Sequence, residues 1–121
     1  MQPLAVHHVS ITVTDVGAAF AFYTDLLGLV ERDDRPDFGF GGHWLEAGGQ
    51  QLHLVEGRPP EDRGQHFALQ VADLDATVAE LRGRGVSITD PSPAGPTRQS
   101  FVHDPEGNLV EILETRAGPA R

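Results

Sequence analysis

Three histidines and a glutamate carry the chemistry that this sequence can offer. The stretches His8–Val13, "HVSITV", and Gln65–Val71, "QHFALQV", each open a strand pattern on a histidine, His8 and His66. His53 and Glu111 stand in two later apolar runs, "QQLHLVE" and "NLVEILE". Three neutral imidazoles and one carboxylate form a donor set for Zn²⁺, Ni²⁺, Fe²⁺ or Mn²⁺, with coordination positions left for water or substrate. The chain has no cysteine, so any metal must be held by nitrogen and oxygen donors. A lone histidine at the start of a strand is ordinarily just a satisfied polar residue. The case for a site rests on where the four fall relative to one another.

A shift of 58 positions lays His8 on His66, Val13 on Val71, Asp15 on Asp73, Gly49 on Gly107 and His53 on Glu111. Self-similarity at a fixed offset marks a duplicated structural unit, and the four donors are two equivalent pairs within it. Each half has the same grammar. Val9, Ile11 and Val13 alternate with His8, Ser10 and Thr12, the period of a half-buried strand. Asp15 stands as the N-cap of a helix whose stripe is Val16, Phe20, Tyr23 and Leu27, and Gly28 ends it. In the second half Phe67, Leu69 and Val71 form the strand face, Asp73 the cap, Leu74, Val78 and Leu81 the stripe, and Gly85 the stop.

Three shorter strands are expected after each helix, near 29–33, 39–47 and 50–56, then near 86–89, 97–103 and 108–114. Turn chemistry at "DDRPD", Gly48-Gly49, "PSPAGP" and "DPEGN" separates them. The expected organisation is one domain over 1–121: a βαβββ module at 6–56, a polar linker at 57–64 and a second βαβββ module at 65–114. The class is α+β. The tail from Arg116 is expected to be loose. Helices cover the apolar strand faces. The opposite faces carry His8, His53, His66 and Glu111, which a curved sheet would bring to one cavity. Glu111, flanked by Leu109 and Leu113 on its own face, is expected to be partly buried and to need a partner.

Composition narrows the partners. The formal charge is −9, which argues against nucleic acid and anionic membrane. No apolar run approaches the roughly 20 residues of a membrane span. The start "MQPLAVHHVS" lacks a signal-peptide pattern, and a cytoplasmic protein is expected.

The run "HHVSITVTDVGAAFAFYTDLLGL" resembles the opening strand and helix of the vicinal oxygen chelate superfamily, and "FVHDPEGNLVEILE" resembles its closing signature. The resemblance spans 6–114. That family includes glyoxalase I, methylmalonyl-CoA epimerase, fosfomycin-resistance thiol transferases, extradiol dioxygenases and metal-free bleomycin-resistance proteins. It implies paired βαβββ modules around a cavity, with metal ligands at His8, His53, His66 and Glu111 and a homodimer. It also implies a small-molecule substrate held through two adjacent oxygens, and Glu111 as the base of lyase or isomerase chemistry. Glyoxalase-like members usually carry Glu or Gln where this chain has His53.

The resemblance turns the face of Gln99, Phe101 and His103 toward the cavity as candidate substrate contacts, while Phe101 also reads as core and His103 as a turn residue. His43, beside Trp44 in "GFGGHWLEAG", is another candidate, with Trp44 read first as core. His7, on the face opposite His8, reads as structural, and Arg98 as a solvated edge residue. The leading expectation is a metal-dependent glyoxalase-like enzyme. The alternatives are a metal-free drug- or metabolite-binding protein, a thiol transferase and an extradiol dioxygenase. The chain lacks both the insertions of larger dioxygenases and a clear acid–base His or Tyr set.

Overall fold

The computed structural model describes residues 1–115. The expected loose tail from Arg116 lies outside the described residues. The elements run β1 (His8–Val13), α1 (Val16–Ala21), β2 (Val30–Glu31), β3 (Gly42–Ala47), β4 (Gln50–Glu56), β5 (His66–Gln70), α2 (Leu74–Gly83), β6 (Ser92–Ala94), β7 (Thr97–His103) and β8 (Leu109–Thr115). They form two four-stranded mixed sheets, ordered β1-β4-β3-β2 and β5-β8-β7-β6. In each, the first strand pairs parallel with the last, and the last pairs antiparallel with the strand before it. This is the α+β, twice-repeated βαβββ arrangement. The segment 57–64 has no helix or strand.

Two compact units divide the chain. One comprises Met1–Glu61 with Asp104–Asn108, the other Asp62–His103 with the chain from Leu109. The core of the first is Val13, Ala19, Phe22, Tyr23, Leu29, Leu45, Leu52 and Leu54. That of the second is Leu74, Val78, Leu81, Ile88, Val102, Val110 and Ile112.

The helix caps are where the residue types demand them. Asp15 accepts from the Ala18 amide and Asp73 from the Ala76 amide, both at 3.0 Å. Gly28 and Gly85 end the helices at φ 76° and 84°, the left-handed conformation that glycine adopts without strain. After α2, Gly85 N donates to Arg82 O and Val86 N to Leu81 O, which closes the helix with the paired bonds of a Schellman motif.

The two halves differ by one residue in two places. Asp15 to Gly28 is one residue longer than Asp73 to Gly85. The first helix absorbs the extra residue as a π-helical turn over Phe22–Leu26, where Leu27 N reaches back to Phe22 O. The widened turn rotates the buried stripe. Ala19, Phe22 and Tyr23 are buried, whereas the expected Val16, Phe20 and Leu27 are only half-buried. After that insertion β3 matches β7 at an offset of 57, so that Trp44 corresponds to Phe101 and His43 to Ser100. A longer turn between β7 and β8 then restores 58 for β4 and β8. Register confirms the outer strands: His8 pairs with Gln51 as His66 pairs with Leu109.

Two strand expectations need correction. Residues 86–89 are not a strand; a single backbone bond, Thr89 N to Phe101 O, ties them to β7. The edge strand is β6, inside the run expected to be only a turn. Pro93 is tolerated there because an edge strand has one side that needs no donor.

In the first unit, Asp104 is a buried hub for the "DPEGN" turn. Its Oδ1 accepts from the amides of Glu106 and Asn108 at 2.8 and 2.9 Å. Its Oδ2 accepts from Asn108 Nδ2 at 3.0 Å and from Tyr23 Oη at 2.7 Å. Burial, reinforced by this carboxylate, holds the Tyr23 hydroxyl far above its ordinary pKa, so it stays a donor. Glu106 accepts from Thr14 N, Thr14 Oγ1 and Asp15 N, immediately before α1.

Candidate functional site

The four donor residues fall into two pairs, one in each unit. In the first, His53 lies on β4 between Leu52 and Leu54 and is itself buried. The His8 ring stacks on it with centroids 4.0 Å apart and planes 14° from parallel. His53 Nε2 is 2.9 Å from Gln51 Oε1, so that nitrogen donates to the amide oxygen. Burial lowers the His53 pKa, and the neighbouring His8 and His7 push it further down. Near neutral pH His53 is therefore an uncharged imidazole, the form that binds metals. His7, expected to be structural, has its Nδ1 2.9 Å from His8 Nδ1.

In the second unit, His66 Nδ1 donates to the Gly64 carbonyl at 2.8 Å, and Nε2 lies 3.0 Å from Glu111 Oε1. Only 12% of the Glu111 side chain is exposed, so the expectation of a part-buried carboxylate with a partner is met. The Gly64 carbonyl does most to raise the pKa of His66; burial opposes it, and the hydrogen bond and charge of Glu111 add to the rise. With Nδ1 donating to a carbonyl, the contact between Nε2 and Oε1 requires one proton shared by His66 and Glu111.

The donors fit a divalent cation in chemical kind. One imidazole is oriented by a backbone carbonyl on its far nitrogen, the outer-sphere support that a ligating histidine requires. Its near nitrogen faces a carboxylate across a gap that a proton now bridges. Among the described residues, no group of three or more His, Asp or Glu is gathered as a ready metal site.

The neighbours of each pair are aromatic. Trp44 is the strand partner of His53 and stacks on it at 4.4 Å and 11°. Phe101 is the strand partner of Glu111 and sets its edge against His66 at 5.6 Å and 81°. Trp44, expected first as core, is instead only half-buried and stands beside a donor. With the offset of 57 for this strand, Trp44 and Phe101 are equivalent positions, each opposite a donor.

The remaining candidates separate. Gln99, Phe101 and His103 alternate with the buried Ser100 and Val102, so they share the face expected of them. His103 is exposed and lies 2.9 Å from Asp62. His43 alternates with Trp44 and shares the face of buried Leu45, where it packs on Phe20 at 4.2 Å and binds Glu31 at 2.6 Å. The expected substrate contact at His43 therefore lies on the helix side of β3, and Trp44 occupies the donor side. Arg98, expected as a solvated edge residue, instead lies on the inner strand β7, paired with Pro93 on one side and Glu114 on the other, and donates through both terminal nitrogens to Asp75.

The model of the "Glyoxalase/Bleomycin resistance protein/Dioxygenase superfamily" matches residues 5–112. A probable lactoylglutathione lyase of Synechocystis sp. is 31% identical, over 89% of this chain and 93% of its own length. A crystal structure of a glyoxalase-family protein from Bacillus anthracis has a TM-score of 0.85 at 26% identity, covering 96% of this chain and 98% of that one. An antibiotic-binding protein from Streptomyces sp. CB03234 has a TM-score of 0.76 at 29% identity, covering 95% and 98%. The chain belongs to the glyoxalase, bleomycin resistance protein and dioxygenase superfamily.

Proposed function

We propose that this chain is a divalent-metal-dependent lyase or isomerase of the glyoxalase type, acting on a small molecule through two adjacent oxygens. His8, His53, His66 and Glu111 are the ligands. Both pairs come from one chain, or each from a different copy in a homodimer. The observation that carries the reading is the His66–Glu111 pair. Gly64 fixes the ring, and the single proton between ring and carboxylate is one that a cation can replace. Neutral, buried His53 against His8 supplies two more nitrogens from the equivalent register positions. The lactoylglutathione lyase names of the relatives support the reaction class.

When bound, a divalent ion polarises the substrate oxygens and stabilises negative charge on them. Glu111 is the candidate base for a proton next to a carbonyl. Its small exposure keeps bulk water from competing for that proton, and His66 holds the carboxylate in place. Gln99 and Phe101, on the same face of β7, are the candidate substrate contacts, with His103 at the strand's outer end.

A second reading is a metal-free binder that sequesters a drug or metabolite. It is favoured by the exposed phenyl rings of Phe38 and Phe40 and by the likeness to an antibiotic-binding protein. One experiment separates the two. Protein stripped with chelator is assayed for isomerisation of a hemithioacetal and of other α-hydroxycarbonyl compounds, before and after Zn²⁺, Ni²⁺, Mn²⁺ or Fe²⁺ is restored. Metal-restored turnover that falls at least about 100-fold in Glu111→Gln supports the enzyme. Ligand-induced thermal stabilisation that is indifferent to chelator, with no turnover under any metal, supports the binder.

A further inference from the structure

His103 is not among the four donors, yet a run of hydrogen bonds within the second unit leads from it to His66. His103 Nε2 donates to Asp62 Oδ2 at 2.9 Å. The other oxygen of that carboxylate, Oδ1, accepts from the Gly64 amide at 2.9 Å. The Gly64 carbonyl then accepts from His66 Nδ1 at 2.8 Å, while His66 Nε2 faces Glu111. Gly64 sits at φ 92°, in the left-handed region open to glycine, and so its amide reaches Asp62 while its carbonyl reaches the ring. His103 and the Gly64 amide hold the Asp62 carboxyl below the usual carboxylate range, so it accepts both bonds at neutral pH. The duplication does not account for this run. At the offset of 58 Asp62 corresponds to Leu4, which is fully exposed. At the offset of β3 and β7 His103 corresponds to Glu46, which pairs with Arg32. His8, the counterpart of His66, sets its Nδ1 against His7 instead of a carbonyl. The strap is an addition to the second module, and it ends on the histidine that faces Glu111.

We propose that Asp62 and His103 are positioning residues for His66: together they clamp the Gly64 carbonyl against Nδ1 and keep Nε2 turned toward Glu111, its fellow ligand. The inference rests on the reading of His66 as a metal ligand, and it gives His103 a role exercised through Asp62 rather than on the substrate. A ligating imidazole needs an acceptor on its far nitrogen, which fixes the ring and leaves the lone pair of the near nitrogen for the ion. A carbonyl in an irregular loop can serve only where the loop is itself held.

The Asp62 and His103 side chains are 41% and 54% exposed, so substitutions there should leave the fold intact. Two readouts test the strap. The first is taken on metal-free, ¹⁵N-histidine-labelled protein under mildly acidic conditions, where the His66 ring is protonated. Exchange of its Nδ1 proton with water, followed by NMR, should quicken about tenfold or more in Asp62→Ala and in His103→Ala. The second is the affinity for Zn²⁺ or Ni²⁺ at neutral pH, by competition with a chromophoric chelator, which should fall roughly tenfold in each variant. His103→Gln, whose amide can donate to Asp62 as Nε2 does, should restore both. Asp62→Ala/His103→Ala should bind no more weakly than Asp62→Ala, because His103 acts through the carboxylate. Proton exchange unchanged in Asp62→Ala overturns the proposal. So does faster exchange with unaltered affinity, since the strap would then be only a loop anchor. Additive losses in the double variant overturn the role given to His103. Wild-type protein that takes up no ion defeats the underlying metal reading, before any variant is compared. Uptake equal in wild type and variants defeats the strap and leaves the metal reading standing.

Discussion

Tyr23 Oη donates to Asp104 Oδ2 at 2.7 Å, joining the π-helical turn after α1 to the turn between β7 and β8. Both groups are buried, Tyr23 completely and Asp104 to 4% exposure. This bond ties the run from Phe22 to Gly28 to the DPEGN turn within the first unit.

Tyr23→Phe removes that donor and leaves a buried carboxylate one bond short. A charge-assisted bond in such a place is worth about 1.5–3 kcal/mol. Urea denaturation should show a loss of that order. A loss below about 0.5 kcal/mol would mean that the turn holds without Tyr23.

Glu106 makes a second prediction. Its hydrogen bonds from the Thr14 side chain, the Thr14 amide and the Asp15 amide hold its pKa below the usual carboxylate range. A group whose folded pKa is depressed stabilises the fold above its unfolded pKa, near 4.3, and that contribution is lost as pH falls through the folded value. Glu106→Gln should therefore be less stable than wild type at pH 6–7, with the gap closing below pH 4. Thermal melts across pH 3–7 measure this, and a gap independent of pH would refute it.

Much of this architecture was legible because the signals were local. Asp15, Asp73, Gly28 and Gly85 act within four residues of themselves, and the strand period placed His8, His53, His66 and Glu111 on matching faces. The π turn, invisible to a 3.6-residue period, put Phe22 rather than Phe20 in the buried stripe. On β3, strand alternation puts His43 on the face of buried Leu45, so Trp44 and not His43 lies on the donor side. Residues 86–89 have strand-like composition yet make one backbone bond to a neighbour, whereas proline-bearing Ser92–Ala94 gained the pairing. Strand formation depends on a partner elsewhere in the chain, which local pattern does not record. The Gly64 carbonyl on His66 was likewise invisible, since a backbone acceptor leaves no mark on residue type.

His66 provides a third prediction. The Gly64 carbonyl and Glu111 raise its pKa above the ordinary value. Its stabilising contribution is complete below the unfolded pKa, near 6.5, and is lost as pH rises through the folded value. In NMR titration of the metal-free protein, the His66 midpoint should lie above that of His53, whose pKa burial depresses. Glu111→Gln should lower the His66 midpoint while the Gly64 share persists. Because a ligand must give up its proton, apparent metal affinity should rise with pH until His66 is deprotonated. Equal midpoints for the two histidines, or affinity flat from pH 6 to 8, would contradict the pairing.

The central claim is that His8, His53, His66 and Glu111 bind one ion. It is tested most directly by metal stoichiometry, measured by mass spectrometry after chelation, re-equilibration with Zn²⁺ or Ni²⁺, and desalting. About one ion per chain is predicted, whether one copy or two complete each site, and affinity should fall roughly 10- to 100-fold or more on Glu111→Ala or His53→Ala. No retained ion at micromolar metal, or retention unchanged in both variants, would contradict it.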